Sequence, residues 1–225
     1  MSNSREEILY TIRRGLKGVS SEETTVERNF LSEAEEVQNL TKELRSNLKT
    51  QFIDELTNVN TNVAELENEE NINKTLLNLI KRKELKSFSI WESEYLKEIN
   101  LKEDIKKTGL KFIAAKNKNK IANSDIGITE VDYAIADTGT LVLLTNKNQP
   151  RSVSLLPPIH LAIVRQENLA RNIKDLFIIL KSKLQNVEDI TSCMTFITGP
   201  SRTADIELNL TLGVHGPKEL IVIIV

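Results

Sequence analysis

The sequence predicts an α/β protein, a three-layer α/β/α sandwich preceded by N-terminal helices. Three observations support this class. All five prolines lie at or after Pro150, apolar residues recur at helical spacing before residue 57, and short apolar runs alternate with helical segments after residue 86. Because proline and glycine mark turns and interrupt regular structure, we expect the first part of the chain to be helical and the rest to be rich in strands and loops.

Residues 1–60 are expected to form a helical extension. Apolar side chains within residues 8–16 share one face of a short helix. A second apolar stripe, within residues 26–56, advances in steps of three, four or seven and predicts one long amphipathic helix capped by Ser20 or Ser21. The Asn- and Glu-rich segment 58–73 that follows is expected to be a linker.

The α/β domain is expected to span residues 61–225, with its pocket loops in 126–225. Leu76, Leu77 and Ile80 predict a helix that ends in the basic segment "KRKELK", as suits the negative pole of the helix dipole. The segments "EYLKEINLKEDIKK" and "QENLARNIKDLFIILKSKL" predict further helices. The predicted strands are "SFSIWE", "LKFIAA", "VDYAIA", "TLVLLT", "IHLAIVR", "CMTFIT" and "LIVIIV". Since the last two lack polar alternation, we expect them to be buried on both faces of a parallel or mixed sheet.

Composition excludes several classes of function. A net charge of −2 and an aromatic content of 4% argue against nucleic acid and anionic membranes as partners. The single cysteine, Cys193, cannot form an internal disulfide or supply the ligands of a cysteine-bound zinc or iron–sulfur site, and it is interpreted as a buried core thiol. No apolar run approaches the roughly 18 residues of a membrane span, and the N-terminus lacks the pattern of a secretion signal, so a cytoplasmic protein is expected.

The segment "TGPSRTADIELNLTLGVHGPKEL" predicts an anion site. The strand before it ends at Gly199, and a helix is expected to begin at Ser201 or Thr203, so that free N–H groups of its first turn face a ligand at the strand end. The Arg202 guanidinium and the two hydroxyls add donors that suit a carboxylate or phosphate. The alternative is a plain capped helix in which Arg202 pairs with Asp205 or Glu207.

Two further loops supply candidate catalytic groups. His215 stands between Gly213 and Gly216 and is a candidate acid or base, with a histidine bonded to a nearby carbonyl as the alternative. In the turn "ADTGT", Asp137 is a candidate catalytic carboxylate, and the alternative is a β-turn in which it bonds its own backbone. The ligand-binding candidates of these loops are Thr138, Gly139, Thr140 and Gly216.

The two histidines and nearby carboxylates are also candidate metal ligands. His160 opens the strand after "SLLPP" and could approach His215, with Asp137, Asp205 or Glu207 as further ligands. Because no pair of these residues has the spacing of metal ligands on a helix, no metal is expected. All four loops lie in the last 90 residues at predicted strand ends, which together suggests a single pocket.

The blocks "DYAIADTGTLVL", "SLLPPIHLAIV", "GPSRTADIE" and "LGVHGP" resemble the signature blocks of the lactate utilization protein C family, the LUD-domain proteins. The resemblance covers roughly residues 126–225. It implies a fold similar to the CoA-transferase and ribose-5-phosphate-isomerase-like group and a role in oxidising L-lactate to pyruvate. It also implies two partner proteins that hold iron–sulfur clusters, with no cofactor bound by this chain.

The resemblance also bears on the site. It narrows the expected anion to a small hydroxy acid, and Asp137 lies in a turn comparable to that of the acidic nucleophile of CoA transferases. Glu130 replaces a small residue common in the family and would change the charge of a pocket that it faced. Three functions stay open: a substrate-binding or catalytic subunit of an L-lactate-oxidising complex, a non-catalytic assembly or metabolite-sensing subunit, and an enzyme similar to CoA transferases or folate cycloligases.

Overall fold

Helices and strands alternate along the chain. The computed structural model describes residues 23–115, 118–183, 191, 193–203 and 211–225. The helices are α1 (Glu23–Glu43), α2 (Arg45–Asn58), α3 (Glu70–Arg82), α4 (Glu94–Glu98), α5 (Leu101–Lys106), α6 (Lys118–Ile121), α7 (Ser152–Leu155) and α8 (Ile173–Lys183). The strands are β1 (Asn62–Glu65), β2 (Ser87–Ile90), β3 (Lys111–Phe112), β4 (Ile126–Glu130), β5 (Tyr133–Ile135), β6 (Thr140–Thr145), β7 (Ile159–Val164), β8 (Leu169–Ala170), β9 (Cys193–Ile197), β10 (Arg202–Thr203), β11 (Thr211–Leu212) and β12 (Glu219–Ile224).

A six-stranded parallel sheet forms the centre of the molecule. Its order is β1-β12-β7-β4-β2-β3, and every neighbouring pair runs parallel. Helices flank this sheet, so its inner strands are covered on both faces. Residues 220–224 of β12 and 161–164 of β7 are buried throughout, as their uniformly apolar sequences predict. The predicted α/β class is therefore confirmed.

A second sheet of four strands packs beside the first. Its order is β8-β5-β6-β9, with β5 and β9 antiparallel to β6 and with β8 parallel to β5. The short strands β10 and β11 form a separate antiparallel pair. Because β9 belongs to this second sheet and lies at its edge, the expectation that "CMTFIT" is buried on both faces is wrong. Phe196 is 41% exposed, and the Cys193 thiol is only half-buried.

The predicted long helix is two helices. α1 and α2 meet at a break near Leu44, and they serve different cores. Val37 of α1 packs in the smaller core beside the second sheet, whereas Phe52 and Leu56 of α2 are buried in the main core of the parallel sheet. One straight helix cannot cover two sheets in this way. The predicted helix at 8–16 and its neighbours Ser20 and Ser21 lie outside the described residues.

Three local predictions differ from the structure. The Asn- and Glu-rich segment 58–73 contains β1, a polar edge strand that pairs with β12. The helix expected from Gln166 begins only at Ile173, because Leu169 and Ala170 form β8 instead. The strand β4, which lies near the middle of the parallel sheet, was not predicted.

Candidate functional site

The predicted ligand loops meet beyond the amino ends of β1 and β12. We name residues 136–140, 198–202 and 213–217 the loop cluster. The Thr140 and Thr198 hydroxyls lie 2.7 Å apart and join its first two segments. The Ser201 N–H donates to the Pro217 carbonyl at 2.9 Å and joins the second to the third. The structure therefore brings together loops that lie as much as 80 residues apart in the chain.

A chain of threonine hydroxyls links the turn after β5 to the end of β9. The hydroxyl of Thr140 lies 2.8 Å from that of Thr138 and 2.7 Å from that of Thr198. Thr140 is buried, whereas Thr138 and Thr198 are exposed. Each hydroxyl has one donor and two acceptors, so both ends of this chain keep hydrogen-bonding capacity toward solvent or a ligand.

The last turn of α2 contacts two of the loops. Gly139 and Gly199 both have the left-handed backbone that favours glycine, with φ of 61° and 81°. A Cβ at Gly139 would lie 2.8 Å from the Leu56 nitrogen, and one at Gly199 would lie 3.1 Å from the Val59 Cβ. The Arg202 guanidinium donates to the Val59 carbonyl through Nη2.

The helix start expected at Ser201 is wrong, whereas a helix capped by Thr203 would lie outside the described residues. Arg202 and Thr203 form β10, which pairs with β11. The Ser201 N–H is used by the Pro217 carbonyl, and the Ser201 carbonyl accepts from the Gly213 N–H at 2.9 Å. These groups therefore stabilise the loop itself. Asp205 and Glu207 lie outside the described residues.

The two candidate catalytic groups are both at the surface. Asp137 is exposed, and its N–H donates to the Arg171 carbonyl at 3.1 Å. His215 is exposed in the loop before β12, next to Gly216, whose missing Cβ allows a close approach to Ser201. Both roles stay predictions.

The second histidine lies in a different environment. His160 is 1% exposed, and its Nε2 lies 2.9 Å from the Thr129 hydroxyl on the neighbouring strand. Burial lowers its pKa to about 3, so it is neutral at physiological pH. It therefore does not share a solvent-facing space with the exposed His215. Among the residues that the structure describes, no three His, Cys, Asp or Glu side chains form a group that could hold a metal.

An open cleft of about 520 Å³ lies at the opposite, carboxyl end of the parallel sheet. Its walls are residues that follow β2, β4 and β7, the helix α4 and the loop after β6. The lining residues are Glu92, Ser93, Glu94, Tyr95, Glu98, Glu130, Asp132, Asn146, Asn148, Gln149 and Arg165. We name it the carboxyl-edge cleft. Ligands of open α/β sheets commonly bind at this edge, which is where the sequence placed the anion site.

Arg165, the cation among the residues that line this cleft, forms two ion pairs. Arg165 lies 3.1 Å from the Glu130 carboxylate and 2.6 Å from that of Glu167, and its guanidinium carbon stands 4.7 Å from the centre of the Tyr95 ring. Burial and the neighbouring Glu69 carboxylate raise the Tyr95 pKa above its usual range. The Arg165 charge is thus already compensated within the protein.

The cleft is strongly acidic. Among the residues that the structure describes, five carboxylates line it beside the Arg165 guanidinium, and one of the five, Glu92, is paired with Lys102 at 3.1 Å; the five are Glu92, Glu94, Glu98, Glu130 and Asp132. Burial raises the pKa of Asp132 to about 6, the Leu144 N–H that it accepts at 2.7 Å opposes the rise, and the charge of Glu130 adds to it. Sequence reasoning singled out only Glu130 here. The available signal was a charged residue at the end of each of three strands or within two residues of it.

Comparison with known proteins agrees with the resemblance seen in the sequence. A profile of the LUD domain matches residues 49–225. "Lactate utilization protein C" of Halalkalibacterium halodurans is 44% identical over 106 residues, which are 47% of this chain and 46% of that protein. The protein of the same name from Bacillus subtilis is 38% identical over 109 residues, 48% of this chain and 45% of its own.

A longer match is "Lactate utilization protein C 1" of Bacillus mycoides, 34% identical over 163 residues, which are 69% of this chain and 70% of that protein. The matches to the proteins of Halalkalibacterium halodurans and Bacillus subtilis, in contrast, span slightly under half the length of each of those relatives. A crystal structure of a DUF162 family protein from Deinococcus radiodurans shares the fold, with a TM-score of 0.60 and 18% identity over 80% of this chain and 97% of that one.

The helices that the structure describes include none with the length and apolar character needed to cross a bilayer. The profile match covers well over half of the sequence, and the 34% identity extends over more than two thirds of it. The chain therefore belongs to the LUD-domain family.

Proposed function

We propose that this protein takes part in lactate utilization by binding L-lactate, or its oxidation product pyruvate, at the loop cluster. The relatives named lactate utilization protein C, one of them matched over 70% of its length, are the observation on which this proposal depends. The loop cluster supports it because the predicted ligand loops converge there through direct contacts.

The charges favour the loop cluster over the carboxyl-edge cleft for a carboxylate. Two like charges 4 Å apart repel by about 4 kcal/mol at an effective dielectric constant of about 20. Among the described residues, five carboxylates line the cleft; Lys102 compensates only Glu92, and the Arg165 guanidinium is already paired with Glu130 and Glu167. In the loop cluster, the exposed Arg202 uses Nη2 for the Val59 carbonyl. A guanidinium has five N–H donors, so several remain for an anion.

The proposal divides the chemistry between proteins. Oxidising L-lactate to pyruvate removes two electrons and two protons. We assign the electrons to iron–sulfur partner proteins, because a cluster held by four thiolates cannot be built from Cys193 alone. In this chain, Arg202 holds the carboxylate and the exposed His215 accepts the hydroxyl proton, and the proton from the carbon that bears the hydroxyl is released to solvent as the two electrons pass to the partner proteins. A direct role for Asp137 stays a second possibility within the same loop cluster.

Growth on lactate tests the proposal. Deletion of the gene in its own organism should abolish growth on L-lactate and leave growth on pyruvate unchanged. The wild-type gene should restore growth, whereas an Arg202→Gln gene expressed at the same level should not. Arg151→Gln, which removes an exposed arginine outside the loop cluster, is the matched control and should restore growth. Normal growth of the deletion strain on L-lactate would refute the proposal.

A further inference from the structure

We infer that the last turn of α2, residues 55–59, is a positioning element of the ligand site and fixes Arg202 relative to the threonine turn. The ligand named here rests on the proposed function, but the positioning itself rests on contacts alone. The inference gives α2, which lies in the segment expected to form a helical extension, a role in the site.

The first contact is with the turn at Gly139. A Cβ there would lie 2.8 Å from the Leu56 nitrogen and 2.9 Å from the Glu55 carbonyl carbon. Both are backbone atoms of a helix, which cannot turn aside as a flexible side chain can. The turn that presents Thr138 and Thr140 therefore lies directly against the α2 backbone, at a distance that only glycine allows.

The second contact is with the segment after β9. A Cβ at Gly199 would lie 3.1 Å from both Cβ and Cγ2 of Val59 and 3.2 Å from its carbonyl oxygen. The same carbonyl accepts the hydrogen bond from Arg202. One residue at the end of α2 thus limits both the path of this segment and the direction of its guanidinium.

The helix that makes these contacts is itself fixed. Phe52 and Leu56 are fully buried in the main core, and the Leu56 carbonyl accepts from the Thr61 N–H at 3.0 Å where the chain enters β1. Interiors packed at this density move little. An arginine that is held before its ligand arrives loses less side-chain freedom on binding, which strengthens binding without adding a contact.

The chain offers a matched control for the glycine substitutions. Gly109 also has a left-handed backbone, with φ of 86°, but a Cβ there would meet no atom within 4 Å. Alanine at Gly109 therefore introduces the backbone strain of alanine at Gly199 without the contact to α2. Comparing the two separates displacement of the loops from a general loss of stability.

The experiment measures two quantities on Gly199→Ala, Gly139→Ala and Gly109→Ala in the full chain. The first is the dissociation constant for L-lactate and for pyruvate by calorimetry. The second is amide hydrogen exchange of residues 136–140 and 198–202. We expect Gly199→Ala to weaken binding by about tenfold or more and to speed exchange in these segments. Gly109→Ala should change neither quantity, although it lowers the melting temperature. If Gly139→Ala does not fold, Gly199→Ala decides alone.

A compensating variant completes the test. Val59→Gly removes the Cβ and Cγ2 atoms that a Cβ at position 199 would meet and leaves only the carbonyl contact at 3.2 Å, so adding it to Gly199→Ala should slow exchange and tighten binding relative to Gly199→Ala alone. Exchange and binding of Gly199→Ala equal to those of Gly109→Ala would overturn the inference. If the wild-type chain binds neither acid, the proposed function is wrong, and the exchange of the loop segments alone then decides the inference.

Discussion

The two ends of the parallel sheet differ in charge and in how they are built. Among the described residues, five carboxylates line the carboxyl-edge cleft around the paired Arg165, whereas the loop cluster presents hydroxyls, Arg202 and a single carboxylate, that of Asp137. Position alone favours the cleft, since open α/β sheets commonly bind ligands at the carboxyl ends of their strands. Charge favours the loop cluster for an anion. The location of a cavity in a fold therefore does not by itself determine its ligand.

The two regions also differ in what supports them. The loop cluster lies against α2, whose apolar side chains belong to the main core. The cleft is supported in part by ion pairs, such as that between Arg165 and Glu130. Core packing depends little on pH and salt, whereas an ion pair weakens when salt screens it or when one partner titrates.

The largest effect is expected from removing the support of the loop cluster. Phe52→Ala deletes a fully buried ring of α2 and should lower the free energy of unfolding by about 3–5 kcal/mol. Asn47→Ala, at an exposed position of the same helix, should change it by less than about 0.5 kcal/mol. Urea denaturation measures both. A cost below about 1 kcal/mol for Phe52→Ala would mean that α2 is not part of the core.

The next effect concerns the pH response of the cleft. The pKa of Asp132 is about 6 in the folded protein against 3.8 as its ordinary value, so the folded state binds the proton more tightly. Its contribution to stability is therefore favourable at low pH and is lost as pH rises from about 4 to 6. Asp132→Asn removes this loss and still accepts the Leu144 N–H. The variant should gain about 2–3 kcal/mol over the wild type between pH 4 and 7.

Urea denaturation at several pH values measures this gain. His160, whose folded pKa is lowered to about 3, makes both proteins lose stability as pH falls below 6.5. Its contribution cancels in the difference between variant and wild type. A difference that stays constant from pH 4 to 7 would show that burial of Asp132 does not shift its pKa.

A smaller effect is expected at the ion pair of the cleft. Arg165→Gln leaves the Glu130 carboxylate, which is only 12% exposed, without its partner. Because Arg165 is itself 29% exposed, we expect a cost of about 1–2 kcal/mol in unfolding free energy and not the full cost of a buried pair. Adding Glu130→Gln should recover much of the loss, which a double-mutant cycle measures. Simple additivity of the two substitutions would contradict this interpretation.

The smallest effect is expected in the hydroxyl chain of the loop cluster. Thr140→Val removes the contacts to Thr138 and Thr198, both of which are exposed and can bond water instead. The cost should be about 1 kcal/mol in unfolding free energy. It should be equal at pH 5 and pH 8, because none of these hydroxyls titrates there. A cost that varies with pH would show that an ionisable group takes part in the chain of hydroxyls.

Strong local signals in the sequence predicted the centre of the fold. The runs "IHLAIVR" and "LIVIIV" are apolar throughout because β7 and β12 are buried on both faces. Segment 62–65 was missed because β1 is a polar edge strand whose structure depends on pairing with β12. The helix start expected at Ser201 was wrong because pairing of β10 with β11 prevailed over the local helix-start signal.

The residues of the candidate sites also divide into those with a local sequence signal and those that only long-range contacts bring together. Gly139, Gly199 and the threonines beside them stood out, since turns with special backbone geometry have a distinct composition. Asp132 and Arg165 did not, because each is a single charge after a strand and only the strand order brings them together. The contact of α2 with the loops was also invisible, since an amphipathic stripe looks the same on a core helix and on a docking helix.

Calorimetric titration of L-lactate into two arginine variants shows whether the acid binds at the loop cluster or in the carboxyl-edge cleft. Arg202→Gln removes the cation of the loop cluster, and Arg165→Gln removes that of the carboxyl-edge cleft. We expect Arg202→Gln to weaken binding by at least about tenfold and Arg165→Gln to bind as the wild type does. Loss of binding in Arg165→Gln with unchanged binding in Arg202→Gln would contradict this expectation and would place the anion in the cleft.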